Sequence, residues 1–374
     1  MRSSILVAAA AVSVSGSVLP RASFGGAPNL ILPDSEFRTF EIVSLDEAKA
    51  GKDLEILGLP QSQNDTADKV QLTATATTAE SEACSANPSI HVEWHRASSS
   101  QRQGFIDAVK CLLNKPASGN FPPATNRYED LVRLHQEFMS DVHRNAKFLV
   151  WHRYYLWTFE QVLRDECGFA GPMVWWDETL DSGRFGQSEV FSPSYFGSLP
   201  APDQNGNAVC VNDGAFAGLV LNIGPQESNR PHCLSRAGDE GLSAQINDDY
   251  VDLCNERTSF AEFANCLEFG THGLGHNAIG GRNGVMADVW ASPSDPTFWL
   301  HHSFVDHTWE LWQSLDAAIR TQSIGGIDAN GNPLTLDTVL TVGGIRPDVP
   351  VRAVVNTLSG VSIGGVPFCF KYDS

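Results

Sequence analysis

Two groups of three histidines, about 120 residues apart, constrain the fold of this 374-residue chain more than any other feature. The groups are His135, His143 and His152, and His272, His276 and His302. Neutral imidazole is the commonest metal ligand in proteins, and nitrogen-only sites suit copper better than calcium or magnesium. Three protein ligands per metal leave coordination positions open, as a catalytic or gas-binding metal requires. We therefore expect a fold in which the two groups hold two copper ions that bind dioxygen between them.

The spacing within each group predicts helices. Nine residues separate His143 from His152 and do not return to one face of a straight helix, so a turn must lie between them. Ligands from two helices would then converge inside a helix bundle. His272 and His276 are an i, i+4 pair on one helical face. This spacing also occurs in zinc proteases, but those enzymes carry a glutamate directly after the first histidine, where this chain has Gly273.

Apolar periodicity predicts four helices in a mainly α fold. The first follows the capping residues from Ser98 and ends near Pro116, and the other three span 146–167, 258–277 and 296–318. Gly270, Gly273 and Gly275 are expected to break the third helix. Residues 181–243 are rich in Gly, Pro, Ser and Asn and predict a long irregular crossover, and β-branched residues after 324 predict a few short strands.

The start of the chain resembles an export signal. A positive start and a short apolar run predict a signal peptide at 1–20, and the run is too short to span a membrane. Residues 21–83 have little periodicity and predict an N-terminal extension or pro-segment, with a small β-rich packing segment as the alternative. Residues 84–374 are expected to form the dicopper catalytic domain. The chain is therefore expected to be secreted.

Two further sequence features agree with export. Eight cysteines in an exported chain favour disulfides, although 105 pairings are possible, and Asn64-Asp65-Thr66 is a glycosylation acceptor triplet. The net charge of -19 argues against nucleic acid or an anionic membrane as a partner.

The residues around the first group resemble a known metal-site family. His143, Phe148, Leu149, Trp151, His152, Arg153, Leu156 and Glu160 reproduce the copper-binding signature of tyrosinases and catechol oxidases. The resemblance implies that His143 and His152 bind the first copper. His135 would be the third ligand, although the family varies this spacing, and His91 and His95 are its competitors.

The run from Asp295 to Asp306 resembles the second copper signature of the same family. In that signature an aspartate follows four residues after the ligand, which selects His302 rather than His301. Asp306 is expected to orient the second nitrogen of His302, with an ordinary surface contact as the alternative. Phe298 resembles the aromatic residue that packs against the family's substrate site, and a plain core role is the rival interpretation.

The resemblance implies two coppers in a four-helix core and oxidation of o-diphenols to o-quinones by dioxygen. Members with strong monophenol activity carry an asparagine where this chain has Gly273, and with a nearby glutamate it orients a water. Glu262 or Glu268 could be that glutamate, and Asn277 could partly replace the asparagine. We therefore expect a catechol oxidase that takes a small phenol and dioxygen, with monophenol hydroxylation left open.

The alternative function is a hemocyanin-like oxygen-binding protein with the same metal pair. An exposed site favours the enzyme, and a site plugged by a large side chain favours the carrier. Gly273 and Gly275 favour access, because their bareness permits close approach of a substrate ring, although packing against a neighbouring element explains them equally well. Only 67 residues follow His307, as in the short secreted fungal polyphenol oxidases, so any latency would come from the N-terminal extension.

Overall fold

The computed structural model describes residues 39–56 and 78–373, and helices dominate it. The predicted signal peptide and the Asn64 triplet lie outside the described residues. The helices are α1 (Leu45–Lys49), α2 (Lys52–Ile56), α3 (Thr78–Ala86), α4 (Ser99–Asn114), α5 (Arg127–Val142), α6 (Lys147–Cys167), α7 (Glu240–Ser243), α8 (Asp248–Asn255), α9 (Phe260–Leu267), α10 (Gly273–Gly280), α11 (Phe298–Ser314) and α12 (Ala317–Arg320). The predicted mainly α fold is confirmed.

Helices α5, α6, α10 and α11 form the core that carries the histidines. The predicted first helix is α4, which begins with a capping box between Ser98 and Gln101. Helix α5 starts at Asn126, whose side chain accepts the Glu129 backbone N–H. Helix α6, the predicted second helix, ends at Gly168, whose φ of 63° is the left-handed conformation that glycine adopts without strain. These local signals explain why the sequence placed α4 and α6 within a residue or two, whereas α5 was not among the four predicted helices.

The predicted third helix is two helices. A wide turn at Glu268–His272 separates α9 from α10, and Gly270 leaves the helical conformation there with φ -91° and ψ -117°. A Cβ atom on Gly270 would lie 2.4 Å from the Tyr250 ring, so only glycine fits this turn. Gly273 and Gly275, which were also expected to break the helix, instead lie inside α10. Because these two glycines lack a side chain, neighbouring residues can pack closely against them.

Short strands and disulfides join the ends of the domain. The strands are β1 (Ser89–Glu93), β2 (Val174–Trp175), β3 (Val209–Cys210), β4 (Val220–Leu221), β5 (His232–Cys233), β6 (Ser235–Arg236), β7 (Val339–Leu340), β8 (Val349–Pro350), β9 (Ser362–Ile363), β10 (Val366–Pro367) and β11 (Phe370–Tyr372). Strand β1 pairs in parallel with both β2 and β11. The four disulfides are Cys84–Cys369, Cys111–Cys167, Cys210–Cys233 and Cys254–Cys266. All eight cysteines therefore form disulfides. The Cys84–Cys369 disulfide fixes the end of the chain beside β1.

Residues 39–56 pack on the domain through short helices rather than strands. Helix α1 begins with a capping box between Ser44 and Glu47. Asp53, in α2, is buried and pairs with Arg257 at 2.9 Å, and its backbone carbonyl accepts the Asn265 side chain. The β-rich alternative is therefore wrong for this part of the extension. The boundary at residue 84 stays a prediction, and α3 runs across it.

No helix within the described ranges has the length and apolar character needed to cross a membrane.

Candidate metal centre

The first three histidines converge from two helices and the turn between them. His135 lies on α5, His143 follows the last residue of α5, and His152 lies on α6. One ring nitrogen from each lies within 4.8 Å of the other two. Arg144, which follows His143, has φ 57°, and this sharp turn reverses the chain before α6 begins. The predicted turn between His143 and His152 is present.

The second group contains four histidines rather than three. His272, His276, His301 and His302 each offer a ring nitrogen within 4.8 Å of the others. The His302 ring stacks on the His152 ring with centroids 4.5 Å apart, and the His143 and His272 rings lie 6.1 Å apart. The two groups therefore face each other across a single buried space, although about 120 residues separate them in the sequence.

Backbone carbonyls orient five of the six predicted ligands. The Nδ1 atoms of His135, His143, His152, His272 and His276 lie 2.7–3.0 Å from the carbonyl oxygens of Trp290, Met139, Phe148, Glu268 and Met286, respectively. A carbonyl oxygen only accepts, so each Nδ1 must donate its proton and each Nε2 must carry the free lone pair. This arrangement is typical of metal-binding histidines, whose second nitrogen is held by an outer partner.

The Nε2 atoms point into the shared space and lack ordinary partners. Those of His135, His143, His152 and His272 are buried and have no hydrogen bond within the described part of the chain. The Nε2 atoms of His276 and His302 lie 3.2 Å apart. A buried polar atom left unpaired costs about 1–3 kcal/mol, so a protein that keeps four of them together gains stability when a ligand binds there.

Burial keeps these imidazoles neutral. Desolvation lowers the pKa of His135 to about 3 and that of His143 to about 4. It also holds the pKa values of His152, His272, His276 and His302 well below the usual range, with repulsion from neighbouring imidazoles as a second cause. Only the neutral imidazole can donate a lone pair to a metal. The nitrogen-only, neutral and dry donor set fits two copper ions.

A buried ion pair ties the two ligand helices together. Arg153, next to His152, donates from Nε to Asp306 Oδ1 at 2.6 Å, and Asp306 Oδ2 accepts the Tyr372 hydroxyl at 2.7 Å. The expectation that Asp306 orients His302 is wrong, because both carboxylate oxygens are engaged elsewhere and His302 Nδ1 has no hydrogen bond within residues 39–56 and 78–373. The side chain faces α6 and β11 instead, and so fixes α11 against α6.

His301, which the signature register passed over, belongs to a second buried pair. Its Nδ1 lies 2.7 Å from Glu178 Oε1, and neither side chain is exposed. The rings that contact it include His276, at 4.6 Å between centroids, and His272, at 5.6 Å. A Cβ atom on Gly275 would lie 2.4 Å from this imidazole. The absence of a side chain at Gly275 therefore allows His301 to pack against α10. This is the packing explanation of the glycine, rather than the close approach of a substrate.

Phe40 covers the cluster from the N-terminal segment. Its ring stacks on the His276 ring with centroids 3.9 Å apart and meets His272 edge-on at 5.1 Å. Asn277 donates from Nδ2 to the Phe40 carbonyl at 2.9 Å. A Cβ atom on Gly273 would lie 2.8 Å from the Glu41 carbonyl oxygen. Gly273 and Asn277, both predicted to contact substrate, thus contact residues 40–41, and the expected open access at Gly273 is wrong for this conformation.

Phe298 is fully buried beneath the rings. It stacks on His302 at 4.0 Å between centroids and meets His135 edge-on at 5.5 Å. Its core role is therefore clear, and contact with a substrate stays a prediction.

A cavity of about 690 Å³ opens beside Phe40 and His143. Glu268 lines it, and burial raises the pKa of that carboxyl to about 8 although its Oε1 accepts the Arg144 backbone N–H. Glu262, predicted as a carboxylate of the site, instead lies half-buried in the first turn of α9, where its backbone N–H bonds Ser259. Glu268 is the carboxyl group that borders the site.

The remaining candidate histidines have other partners. His91 lies 3.2 Å from Glu160 Oε2, and His95 contacts both Glu93 and Asp181. Competition from His91 and His95 for the first copper is therefore not supported by their positions.

Comparisons with known proteins agree with this geometry. The family model described as the common central domain of tyrosinase matches residues 125–315, a stretch that holds all six predicted ligands. The chain belongs to the tyrosinase family. Members bind a dinuclear copper centre, and the two histidine groups of this chain could hold it.

Curated relatives match about four fifths of this chain. The chain is 34% identical over 315 residues to Tyrosinase ustQ of Aspergillus flavus, a match that covers 80% of this chain and 84% of the relative. It is 29% identical over 351 residues to N-acetyl-6-hydroxytryptophan oxidase ivoB of Emericella nidulans, covering 77% and 93%. The polyphenol oxidase of Thermothelomyces thermophila, solved as a point mutant, has the same fold, with a TM-score of 0.66, 24% identity and coverage of 79% and 93%. The chain is thus a tyrosinase-like oxidase, and its particular reaction is considered next.

Proposed function

We propose that this protein is a dicopper oxidase that uses dioxygen to oxidise o-diphenols to o-quinones. One observation carries the proposal: six imidazoles converge on one buried space, and backbone carbonyls hold the Nδ1 atoms of five of them so that their Nε2 lone pairs are free. Two coppers there supply electron transfer to dioxygen and an open position for a phenol oxygen. Two diphenols provide the four electrons and four protons that reduce one dioxygen to two waters.

His135, His143 and His152 would bind the first copper, and His272, His276 and His302 the second. The choice of His302 over His301 is supported by two contacts. His302 stacks on His152 of the opposite group, whereas His301 donates to Glu178. His302 is therefore placed to bind a metal that lies between the two groups.

The chain's own residues would organise the reaction around that centre. Phe298 fixes the His302 and His135 rings by packing. The walls exclude water, which strengthens electrostatic interactions with a bound phenol. Glu268 borders the cavity with a pKa of about 8, so it is mostly protonated at neutral pH and would accept a phenol proton chiefly above about pH 8. Monophenol hydroxylation needs an added oxygen atom and remains a second activity to be tested with tyramine.

Copper content and quinone formation test the assignment together. Full-length protein loaded with copper should bind two coppers per chain and turn 4-tert-butylcatechol into its coloured quinone. His152→Ala and His276→Ala should each lose about one copper and nearly all turnover. His232→Ala, which removes a buried histidine whose partner is the Arg230 carbonyl, is the matched control and should keep both. Full activity in either ligand variant would overturn the ligand set.

A hemocyanin-like oxygen carrier is the second candidate, and the covering ring of Phe40 favours it. The two functions separate in one comparison of wild type with Phe40→Gly. An oxidase forms quinone in at least the opened variant, whereas a carrier binds dioxygen reversibly in both and oxidises catechol in neither. The relatives named as oxidases favour the enzyme.

Secretion is proposed from the four disulfides, which form in oxidising compartments. N-terminal sequencing of protein recovered from the growth medium would locate the cleavage of 1–20 and of any pro-segment. A mass shift on enzymatic removal of N-glycans, lost in Asn64→Gln, would test the glycosylation.

A further inference from the structure

A second cavity, of about 670 Å³, lies apart from the metal centre. Its walls include residues of β1, α4, α6 and β10, and none of the six proposed copper ligands lines it. Glu160, on α6, lines the cavity eight residues beyond His152, which is about 12 Å along the helix. Sites for small organic ligands typically have volumes of about 300–1,000 Å³. This cavity is therefore large enough to bind a ligand of that kind.

One buried amide in the wall of this cavity has no partner. Gln161 is 5% exposed, and its side chain makes no hydrogen bond to any described residue. Burying an amide away from water without a hydrogen bond is costly, which is why most buried polar groups are paired. A ligand that bonds to Gln161 from the cavity would remove this cost.

The charged groups in the wall neutralise each other. Arg164 donates to Glu160 Oε1 at 2.7 Å, and Glu160 Oε2 lies 3.2 Å from His91. Arg164 also donates to the Phe169 carbonyl. Among the described residues, Arg164 and Glu160 are the charged residues that line the cavity. The wall therefore presents no unpaired charge, and it favours a neutral ligand over an anion or a cation.

The rest of the wall combines uncharged polar groups with apolar surface. The side chains of Asn87 and Ser89 have no hydrogen bond within residues 39–56 and 78–373, and Gln101 uses only its Oε1 there, to accept the Ser98 N–H. Amides and hydroxyls can both donate and accept hydrogen bonds. The apolar part of the wall includes Ile90, Val92, Trp157, Pro172, Val366 and Pro367.

We propose that this cavity binds a neutral saccharide of about two or three rings. Sugar hydroxyls both donate and accept, so they can bond the amides of Gln161, Gln101 and Asn87, while the C–H faces of the rings pack on the apolar part of the wall. A simple phenol has too few polar groups to use this set. An extended peptide would bind by pairing with a free strand edge, but β1 already pairs with β11 on one side and β2 on the other. Saccharide binding here does not depend on the proposed oxidase function.

Two sources would supply this saccharide: the N-glycan of the chain itself, or a separate polysaccharide. Asn87 directly follows α3, and Asn64, the acceptor predicted from the sequence, precedes the start of α3 at Thr78 by 14 residues. Fourteen residues span at most roughly 46–50 Å, so the chain length allows a glycan on Asn64 to reach the cavity. Both sources present the same chemistry to the wall.

Calorimetric titration of the full-length, copper-loaded protein tests the site. N-glycans are first removed enzymatically from the folded protein, so that they cannot compete. The probes are four neutral saccharides, N,N′-diacetylchitobiose, cellotriose, maltotriose and mannotriose. At least one of them should bind with a Kd below about 1 mM.

Three variants locate the binding in this cavity. Gln161→Leu replaces the amide by an apolar group of similar size and should weaken binding of the best probe about three- to tenfold. Ala170→Trp places a large ring at an exposed lining position and should abolish binding. Gln322→Leu is the matched control, because it changes an exposed glutamine that does not line the cavity, and it should leave the affinity unchanged. All three should keep the near-UV circular dichroism of the wild type.

Protein that retains its N-glycans separates the two sources. If the chain's own glycan occupies the cavity, probe binding should be weakened at least about tenfold, and Asn64→Gln should restore it. Equal affinity with and without N-glycans assigns the cavity to a separate saccharide. The proposal is overturned if no probe binds with a Kd below about 1 mM, or if Gln161→Leu or Ala170→Trp leaves the affinity unchanged. Tighter binding of the neutral peptide acetyl-trialanine amide than of every saccharide would overturn it too.

Discussion

Removing the Asp306 carboxylate should destabilise the protein strongly, because it strands the charge of Arg153. That guanidinium is fully buried, and Asp306 is its one anionic partner among the hydrogen bonds of the described residues. Its other hydrogen-bond and ring contacts are neutral: the Val355 carbonyl at 2.7 Å, Gln313 Oε1 at 3.1 Å and the Trp309 ring at 3.6 Å, while the Glu310 carboxyl interacts with it electrostatically without a hydrogen bond. Breaking a buried pair in this way costs about 3–5 kcal/mol. Total stabilities are only about 5–15 kcal/mol, so Asp306→Ala should lose a large fraction of its folding free energy.

The assay is equilibrium unfolding in guanidinium chloride at pH 7 with the disulfides intact, on copper-free protein. Asp165→Ala is the control, since its carboxylate, which pairs with Arg346, is more than half exposed and its loss should cost under about 1 kcal/mol. The double variant Arg153→Met, Asp306→Leu removes both charges and should recover most of the loss. A loss below about 1 kcal/mol in Asp306→Ala, or no recovery in the double variant, would refute the stranded-charge account.

Three further predictions concern the histidines, the glycines and the disulfides. His135 and His143 have folded pKa values of about 3 and 4, below the unfolded value near 6.5, so unfolded chains take up protons first as the pH falls. The other four clustered imidazoles shift in the same direction, and together the six outnumber Glu268 and Asp288, whose raised pKa values act in the opposite sense. Copper-free protein should therefore lose stability from about pH 6.5 downwards; an unchanged Tm between pH 7 and 5 would contradict this. Gly275→Ala places a Cβ atom 2.4 Å from a buried imidazole and should cost about 1–3 kcal/mol and weaken binding of the second copper. Gly104→Ala in α4, where a Cβ atom meets nothing within 4 Å, should instead stabilise by about 0.5–1 kcal/mol in the same denaturation assay. Replacing Cys84 and Cys369 by serine opens the largest covalent loop, with a sequence separation of 285, and should cost roughly 3–5 kcal/mol; equal unfolding midpoints would show that the disulfide does not restrict the unfolded chain.

Local signals explain why the helices and the histidine groups could be predicted. The cap at Ser98 marks a helix start within four residues of sequence, and the i, i+4 spacing of His272 and His276 fixes their common face. The equivalent cap at Asn126 was missed, and α5 with it. A turn between His143 and His152 follows from helical geometry alone. In each case the interacting residues lie within a few positions of one another in the sequence, so the sequence pattern includes the physical cause.

The errors have long-range causes. Asp306 was expected to turn towards its neighbour four residues away, but Arg153 and Tyr372 bind it across 153 and 66 residues of sequence. The third helix breaks at Gly270 because the Tyr250 ring fills the space where a side chain would lie, and no pattern distinguishes that glycine from its two neighbours in the run. His301 entered the second group because Gly275 makes room for it. Such contacts depend on which helices, strands and loops pack against each other, and a single sequence does not show that packing.

Phe40 is the most consequential of these long-range contacts. A glycine beside a metal ligand shows only that no side chain of its own fills the adjacent space. The glycine does not identify which group enters that space. The sequence left Gly273 as room for a substrate ring or for a packed neighbour, and the Glu41 carbonyl lies 2.8 Å from the position of the missing Cβ atom. Residues 40–41 occupy that space and accept the Asn277 amide, so a contact within the chain accounts for the two features that had suggested substrate binding.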